Sequence, residues 1–395
     1  MRSLGLLAAS AALLLAACAK DPDYGPGTGG SNGGGGTGGS AGSYTPPALN
    51  LSHSNVIISR GAQVFSAPAG GAAVVDGTYH NGGWNAGSPT TAAPAWVAIK
   101  LAPGPTRILV SWDDGGTYNY KDPAGTTVYG LAADYHFEAS ADSTNGVDGA
   151  WTAAGDPVTG NHVRTRAHAL DFAGKTWIKM VVTAAPAEAS NGVHVGEIDV
   201  HDISATGAGL PEDTWFFMGD SITAFAYDRT NAPSFATLID TATAHAYFPA
   251  MINGGIGGEL TTSGLARLDE ALALNPDYRF FAITYGTNDS WGNKTDAGGF
   301  RSNLQMMIDK IKAAGRTPVL SHVPYSADGN HETLATFNTA IDELTRTNQL
   351  QVGPDFTAYF MAHTGELQDD HVHPAPAGRQ AMNKLWADAM RVVYP

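Results

Sequence analysis

Ser221 is the residue most readily given a chemical role. It stands in Gly219-Asp220-Ser221-Ile222-Thr223, directly after Trp215-Phe216-Phe217-Met218, an apolar run that reads as a buried parallel strand. A serine between a buried strand and the turn after it is placed where an exposed nucleophile is useful. Its hydroxyl is a weak nucleophile alone, so a base must reach it from elsewhere in the chain. Three other polar turns are candidates to meet it. Asn253-Gly254-Gly255-Ile256-Gly257-Gly258 follows the short apolar run 250–252, and Gly286-Thr287-Asn288-Asp289 follows 280–285. Asp369-Asp370-His371-Val372-His373-Pro374 lies just before the last helical pattern. In that turn Asp369 competes with Asp370, and His371 with His373, for the acid and base roles. His245, His322 and His331 read as surface or satisfied residues. No cluster of side chains suits a metal, and no cofactor is called for.

These turns need a scaffold that brings them together. Beyond the Gly- and Pro-containing stretch 206–213, strand and helix patterns alternate. Strands are expected at 215–218, 250–252, 279–284 and 318–321, and less clearly at 350–352. The clearest helix is 300–314, whose Phe300, Leu304, Met307, Ile308 and Ile311 fall on one face, with Gly315 able to end it. The last helix, 377–393, repeats this with Met382, Leu385, Trp386 and Met390. Such alternation predicts a parallel sheet covered by helices on both faces. Ligands in these sheets sit beyond the carboxyl ends of the strands, which is where the polar turns fall.

With its four turns in this order, the region 212–395 resembles the SGNH hydrolases, also called the GDSL family of esterases and lipases. Gly219-Asp220-Ser221-Ile222 matches the first block, with Ile222 where Leu is frequent. Asn253 to Gly258, Gly286-Thr287-Asn288-Asp289 and Asp370-His371-Val372-His373 match the others. The resemblance implies a three-layer, flavodoxin-like α/β fold with a mainly parallel sheet. It also implies a Ser221–His373–Asp370 triad, since Asp370 and His373 keep the family's D-x-x-H offset. Three oxyanion donors would then be the Ser221 N–H, the Gly258 N–H and the Asn288 side chain. Gly257 competes with Gly258, but aligning Asn253 with the block's leading Asn selects Gly258.

From 50 to 206 the pattern differs. Short β-rich runs at 56–58, 96–101, 107–112, 135–139, 177–182 and 195–200 alternate with turn residues, which predicts an all-β sandwich. Val75-Asp76-Gly77-Thr78 with Trp84, the strand 96–101 and the strand 195–200 resemble the discoidin-like, galactose-binding-like jelly rolls. Ligands in that family bind at loops on one end. Trp84, Trp112, Tyr118, Tyr120 and Tyr129 could offer faces for stacking on sugar rings.

The start of the chain reads as an address. Arg2 precedes the apolar run 4–17, which is too short to span a bilayer. Residues 1–17 are expected as a signal peptide. Leu15-Ala16-Ala17-Cys18 resembles the lipobox of bacterial lipoproteins, which implies lipid on Cys18, the chain's single cysteine. Residues 18–49 read as a flexible linker, whose stretch 21–43 is mostly Gly with Ser, Thr, Asn and Pro, forms no core and would span about 25–30 Å as a random coil. The formal net charge of −15 would repel phosphate backbones and excludes nucleic acid as a natural partner.

The expectation is a serine esterase of the bacterial cell envelope, lipid-anchored at the outer membrane or secreted. It would remove acyl groups, above all acetyl, from a carbohydrate or a small ester. The alternatives are a lipase, arylesterase or thioesterase, an O-acetyltransferase using the same triad, or a carbohydrate-binding lipoprotein with an idle hydrolase domain.

Overall fold

The computed structural model describes residues 44–77, 83–113, 130–163, 165–186, 192–227, 231–291, 294–326 and 333–395. The expectations for Cys18, Tyr118, Tyr120, Tyr129 and His331 lie outside these residues.

The first half is antiparallel. Its strands are β1 (Val56–Ile57), β2 (Gln63–Ala67), β3 (Trp84–Gly87), β4 (Ala95–Lys100), β5 (Arg107–Asp113), β6 (Asp134–Ser140), β7 (Trp151–Ala153), β8 (Thr165–Asp171), β9 (Trp177–Ala184), β10 (Val193–Val195) and β11 (Glu197–Asp202). One sheet has the order β1-β11-β5-β8, a second β2-β4-β9-β6-β7, and β10 pairs with β3. Alternation decides what each strand buries. Ile108, Val110 and Trp112 of one sheet meet Val97, Ile99, Phe137 and Met180 of the other in a shared apolar core. Two antiparallel sheets face to face make the expected sandwich.

That core corrects one expectation. Trp84 and Trp112 are both 0% exposed. The Trp84 indole donates to the Pro68 carbonyl at 2.8 Å, and Trp112 packs edge-on against Tyr135. Neither offers a face to a sugar. In the strand, Trp112 shares parity with Ile108 and Val110, so its inward direction follows from period two.

The second half is α/β. Its strands are β12 (Thr214–Gly219), β13 (Ala250–Gly255), β14 (Phe280–Thr284) and β15 (Thr317–Leu320), all parallel, in the order β13-β12-β14-β15. Val352 adds a single parallel bridge beside Leu320 where a fifth strand was expected. Its helices are α1 (Ser221–Ala226), α2 (Phe235–Ala242), α3 (Thr261–Leu274), α4 (Thr287–Ser290), α5 (Ala297–Ala313), α6 (Leu334–Thr347), α7 (Phe356–Ala362) and α8 (Pro376–Met390). Phe216 and Met218 point to one face, against residues of α3, α5 and α6. Trp215 and Phe217 point to the other, against α1, α2, α7 and α8. Burial on both faces is why these strands read as continuous apolar runs.

Pro47–Pro395 is one compact unit, and the two halves share buried surface within it. Leu109, Val163, Ala167 and Ile203 pack with Ala250, Ala271 and Tyr278. The polar contacts gather at the amino ends of the parallel strands. Asn55 Nδ2 donates to the Phe248 carbonyl at 2.9 Å, Ser52 N–H to Glu212 at 2.6 Å, and Ala169 N–H to Asp277 at 2.9 Å. The carboxyl ends lie about 20 Å away, the length of a six-residue strand.

Candidate active site

Ser221, Gly258 and Asn288 each follow the end of a parallel strand, and Asp370 and His373 lie in the turn before α8. β12 ends at Gly219, where an added Cβ would stand 2.1 Å from Thr223 Oγ1 and 2.3 Å from the Thr284 carbonyl. Only glycine permits that approach, and through it α1 turns back directly from the strand. Asp220 caps α1 by accepting the Ile222 N–H at 2.9 Å. Ser221 is thus the first helical residue, where backbone N–H groups have no acceptor inside the helix.

His373 Nε2 lies 2.8 Å from Ser221 Oγ, and His373 Nδ1 lies 2.6 Å from Asp370 Oδ2. The N–H groups of Val372 and His373 both donate to Asp370 Oδ1 at 3.0 Å. Partial burial pushes the Asp370 carboxyl up, but the hydrogen bonds from the His373 ring and from the two backbone groups outweigh it and hold it below the usual range. An ionised Asp370 accepts only, so Nδ1 carries the proton and Nε2 is left as the acceptor. Ser221 then donates its hydroxyl hydrogen to His373. The rival, His371, is exposed and has φ 55° in the turn that brings His373 inward. Phe225 of α1 meets the His373 ring edge-on at 5.3 Å. The Arg379 guanidinium covers Phe225 at 5.1 Å.

The other two turns lie close by. Gly258 follows β13, is exposed, and has φ +75°, a left-handed backbone that favours glycine. Gly257 would place a Cβ 4.0 Å from the Ser221 Cβ. Asn288 lies in α4, after β14. Its Nδ2 donates to Asp220 Oδ2 at 3.3 Å and to the Glu259 carbonyl at 3.2 Å. The amide of Asn288 thus bridges the neighbour of Ser221 and the neighbour of Gly258. Asp289 faces away and accepts from Thr261 N–H and Oγ1, the latter at 2.6 Å.

Behind these turns the chain buries acids that sequence reasoning did not single out. Asp220, Glu259 and Asp289 are all buried. Burial pushes Asp220 up to about 7, and the negative Asp289 and Glu259 add to this against the opposing Ile222 N–H bond. Arg267 and Tyr285 surround Glu259. Only Asp220 and Asp289 lie inside the matched blocks. Glu259 directly follows Gly258, whereas Arg267 and Tyr285 carry no spacing signal.

Among the described residues, no group of three or more His, Cys, Asp or Glu side chains is arranged to hold a metal ion. A nucleophile, an oriented base and adjacent amide donors suffice for acyl transfer.

Known proteins match the same half of the chain. The profile of the GDSL-like Lipase/Acylhydrolase family covers residues 217–381. An arylesterase of Vibrio mimicus is 30% identical over 166 residues, which is 40% of this chain and 78% of that protein. The esterase TesA of Pseudomonas aeruginosa is 25% identical over 174 residues, 44% of this chain and 86% of its own. A crystal structure of a lipase/acylhydrolase from Enterococcus faecalis aligns with 45% of this chain and 95% of its own, at 24% identity and a TM-score of 0.39.

Proposed function

Because this chain belongs to the GDSL-like lipase/acylhydrolase family, we propose that it is a serine esterase using Ser221, His373 and Asp370. The observation that carries this reading is the unbroken line Asp370–His373–Ser221, at 2.6 and 2.8 Å. Ser221 Oγ attacks the ester carbonyl while His373 Nε2 takes its proton. The carbonyl π electrons move to oxygen and give a tetrahedral oxyanion. Its donors are the N–H groups of Ser221 and Gly258 and one amide hydrogen of Asn288. Glu259 holds the other Asn288 hydrogen, and the long 3.3 Å contact to Asp220 is the one given up. Collapse of the oxyanion breaks the ester C–O bond, and His373 gives its proton to the leaving alkoxide. Water, deprotonated by His373, then releases the acid and restores Ser221. Asp370 stays ionised throughout and stabilises the imidazolium.

For substrate, the reading is O-deacetylation of a carbohydrate outside the cytoplasm. Its support is the apolar start of the chain with the Cys18 motif, a tether, and a β-sandwich beside the catalytic half. Cys18 would carry the lipid that holds the enzyme at the envelope membrane. The sandwich docks at the amino ends of the parallel strands, so its service to a polymer would be attachment at a distance.

The Vibrio mimicus arylesterase similarity favours a second reading, hydrolysis of small aryl esters. Acetate release from a panel of acetylated polysaccharides, set beside turnover of a p-nitrophenyl ester series, separates the two. Release from at least one polysaccharide at a higher kcat/KM than from p-nitrophenyl acetate supports the first. Turnover confined to aryl esters supports the second.

A further inference from the structure

The loop that carries Gly258 is held from behind by a buried charged group. Glu259 and Arg267 are each 7% exposed and Tyr285 is 2% exposed. Arg267 Nε and Nη2 each lie 2.7 Å from a different oxygen of Glu259, the two-pronged geometry that suits guanidinium to carboxylate. The same Nη2 also donates to the Gly254 carbonyl at 2.8 Å and lies 3.2 Å from the Tyr285 hydroxyl. The Tyr285 hydroxyl in turn donates to Glu259 Oε2. The side chain of Glu259 is therefore tied to α3 through Arg267 and to the end of β14 through Tyr285. Its backbone carbonyl is the acceptor that holds Asn288. The Gly258–Glu259 link and the Asn288 amide cannot shift independently of this group.

Charge gives the group a second consequence. Asp220, Glu259 and Asp289 are buried within reach of one another, each close to a proposed oxyanion donor or next to it in sequence. A negative charge developing on a carbonyl oxygen at Ser221 would face this acidic wall in a low-dielectric site. Arg267 supplies positive charge directly against it.

We infer that Arg267 is a positioning residue for ester hydrolysis. Acting through Glu259, it fixes the Gly258–Glu259 backbone against Asn288 and offsets the carboxylates behind the oxyanion. This rests on the reading of Ser221 and its donors given above.

The test uses the full chain with p-nitrophenyl acetate, well below each variant's melting temperature. Arg267→Met leaves Glu259 buried without its cation. It is expected to lower kcat by about 10²-fold, the scale of one lost oxyanion donor. KM should stay within about threefold, because ground-state binding is not what it changes. Pairing it with Glu259→Gln removes both charges together and should recover about tenfold or more of the lost kcat. Tyr285→Phe keeps the ring and deletes one bond, so it should lower kcat by about three- to tenfold. A general loss of folding would lower the melting temperature without this split between kcat and KM or the recovery in the pair. Should Arg267→Met not fold, Tyr285→Phe and the paired variant decide. Wild-type kcat in Arg267→Met, or in Tyr285→Phe when Arg267→Met does not fold, overturns the inference while leaving the esterase reading intact. So does a paired variant no faster than a folded Arg267→Met. A wild-type chain that hydrolyses no ester sinks the esterase reading, and this inference falls with it.

Discussion

The side-chain amide of Asn288 donates to the backbone carbonyl of Glu259 at 3.2 Å, so a residue after β14 is locked to the loop after β13. That bond aims one amide hydrogen and leaves the other for an oxyanion. Asn288→Ala should therefore lower kcat on p-nitrophenyl acetate by about 10²–10³-fold with little change in KM. Steady-state kinetics checks it, and an unchanged kcat would remove Asn288 from the oxyanion site.

The two bonds of His373 are unequal in consequence. Its loss removes the base, whereas loss of Asp370 leaves an imidazole that is mis-set but present. His373→Ala should cost on the order of 10⁶ in kcat, and Asp370→Ala about 10⁴. Equal losses on replacing Asp370 and Asp369 would mean that Asp370 is not the partner.

Stability should fall as pH rises from about 4 to about 7, and Asp213 is one reason. Its carboxyl is fully buried, which pushes it up to about 7 despite hydrogen bonds from Tyr394 and Trp215. Its Oδ2 has no partner among the described residues, which leaves room for a proton. A carboxyl raised in the folded state binds its proton more tightly there than in the unfolded chain. Its stabilisation is complete below the ordinary carboxylate range, near pH 4, and is lost as pH climbs to about 7. The slope is up to about 1.4 kcal/mol per pH unit for one such group. Asp220 adds to the same slope. Melting curves from pH 4 to 8 should show Asp213→Asn with a flatter profile than wild type. Parallel profiles would contradict the assignment.

Trp84 and Trp112 should matter to folding and leave ester chemistry alone. Each fills the core of the sandwich, so replacement by Ala should destabilise by about 3–5 kcal/mol. Denaturant unfolding measures this, and kcat on a small ester should stay at the wild-type value. A loss of polysaccharide binding without a loss of stability would reverse this account.

How far the sequence could be read follows from where its signals lie. The four turns were legible because glycine, aspartate, serine, asparagine and histidine at strand ends have few structural substitutes. The helices α5 and α8 were legible because their apolar residues recur on one face. Helix α3 was harder to see. It starts after Leu260 without a side-chain cap, and its buried face includes Gly264 and Arg267, which blur the period. Helix α6 had a usable signal, Leu334, Phe337, Ile341 and Leu344 at helical spacing. Strand β8 alternates Thr165, Ala167 and Ala169 with Arg166, His168 and Leu170, a pattern too polar to stand out. The contact between Glu259 and Arg267 has no local signature at all, since tertiary packing alone makes a charged pair buried.

The central claim is that Ser221, activated by His373, is the nucleophile. The most direct measurement is mass spectrometry of the intact protein after treatment with a fluorophosphonate, with p-nitrophenyl acetate turnover followed in parallel. Wild type should gain one phosphonyl group on Ser221 and lose its turnover. Ser221→Ala should gain none and show no turnover above background. Labelling at another residue, or ester hydrolysis that survives in Ser221→Ala, would contradict the account.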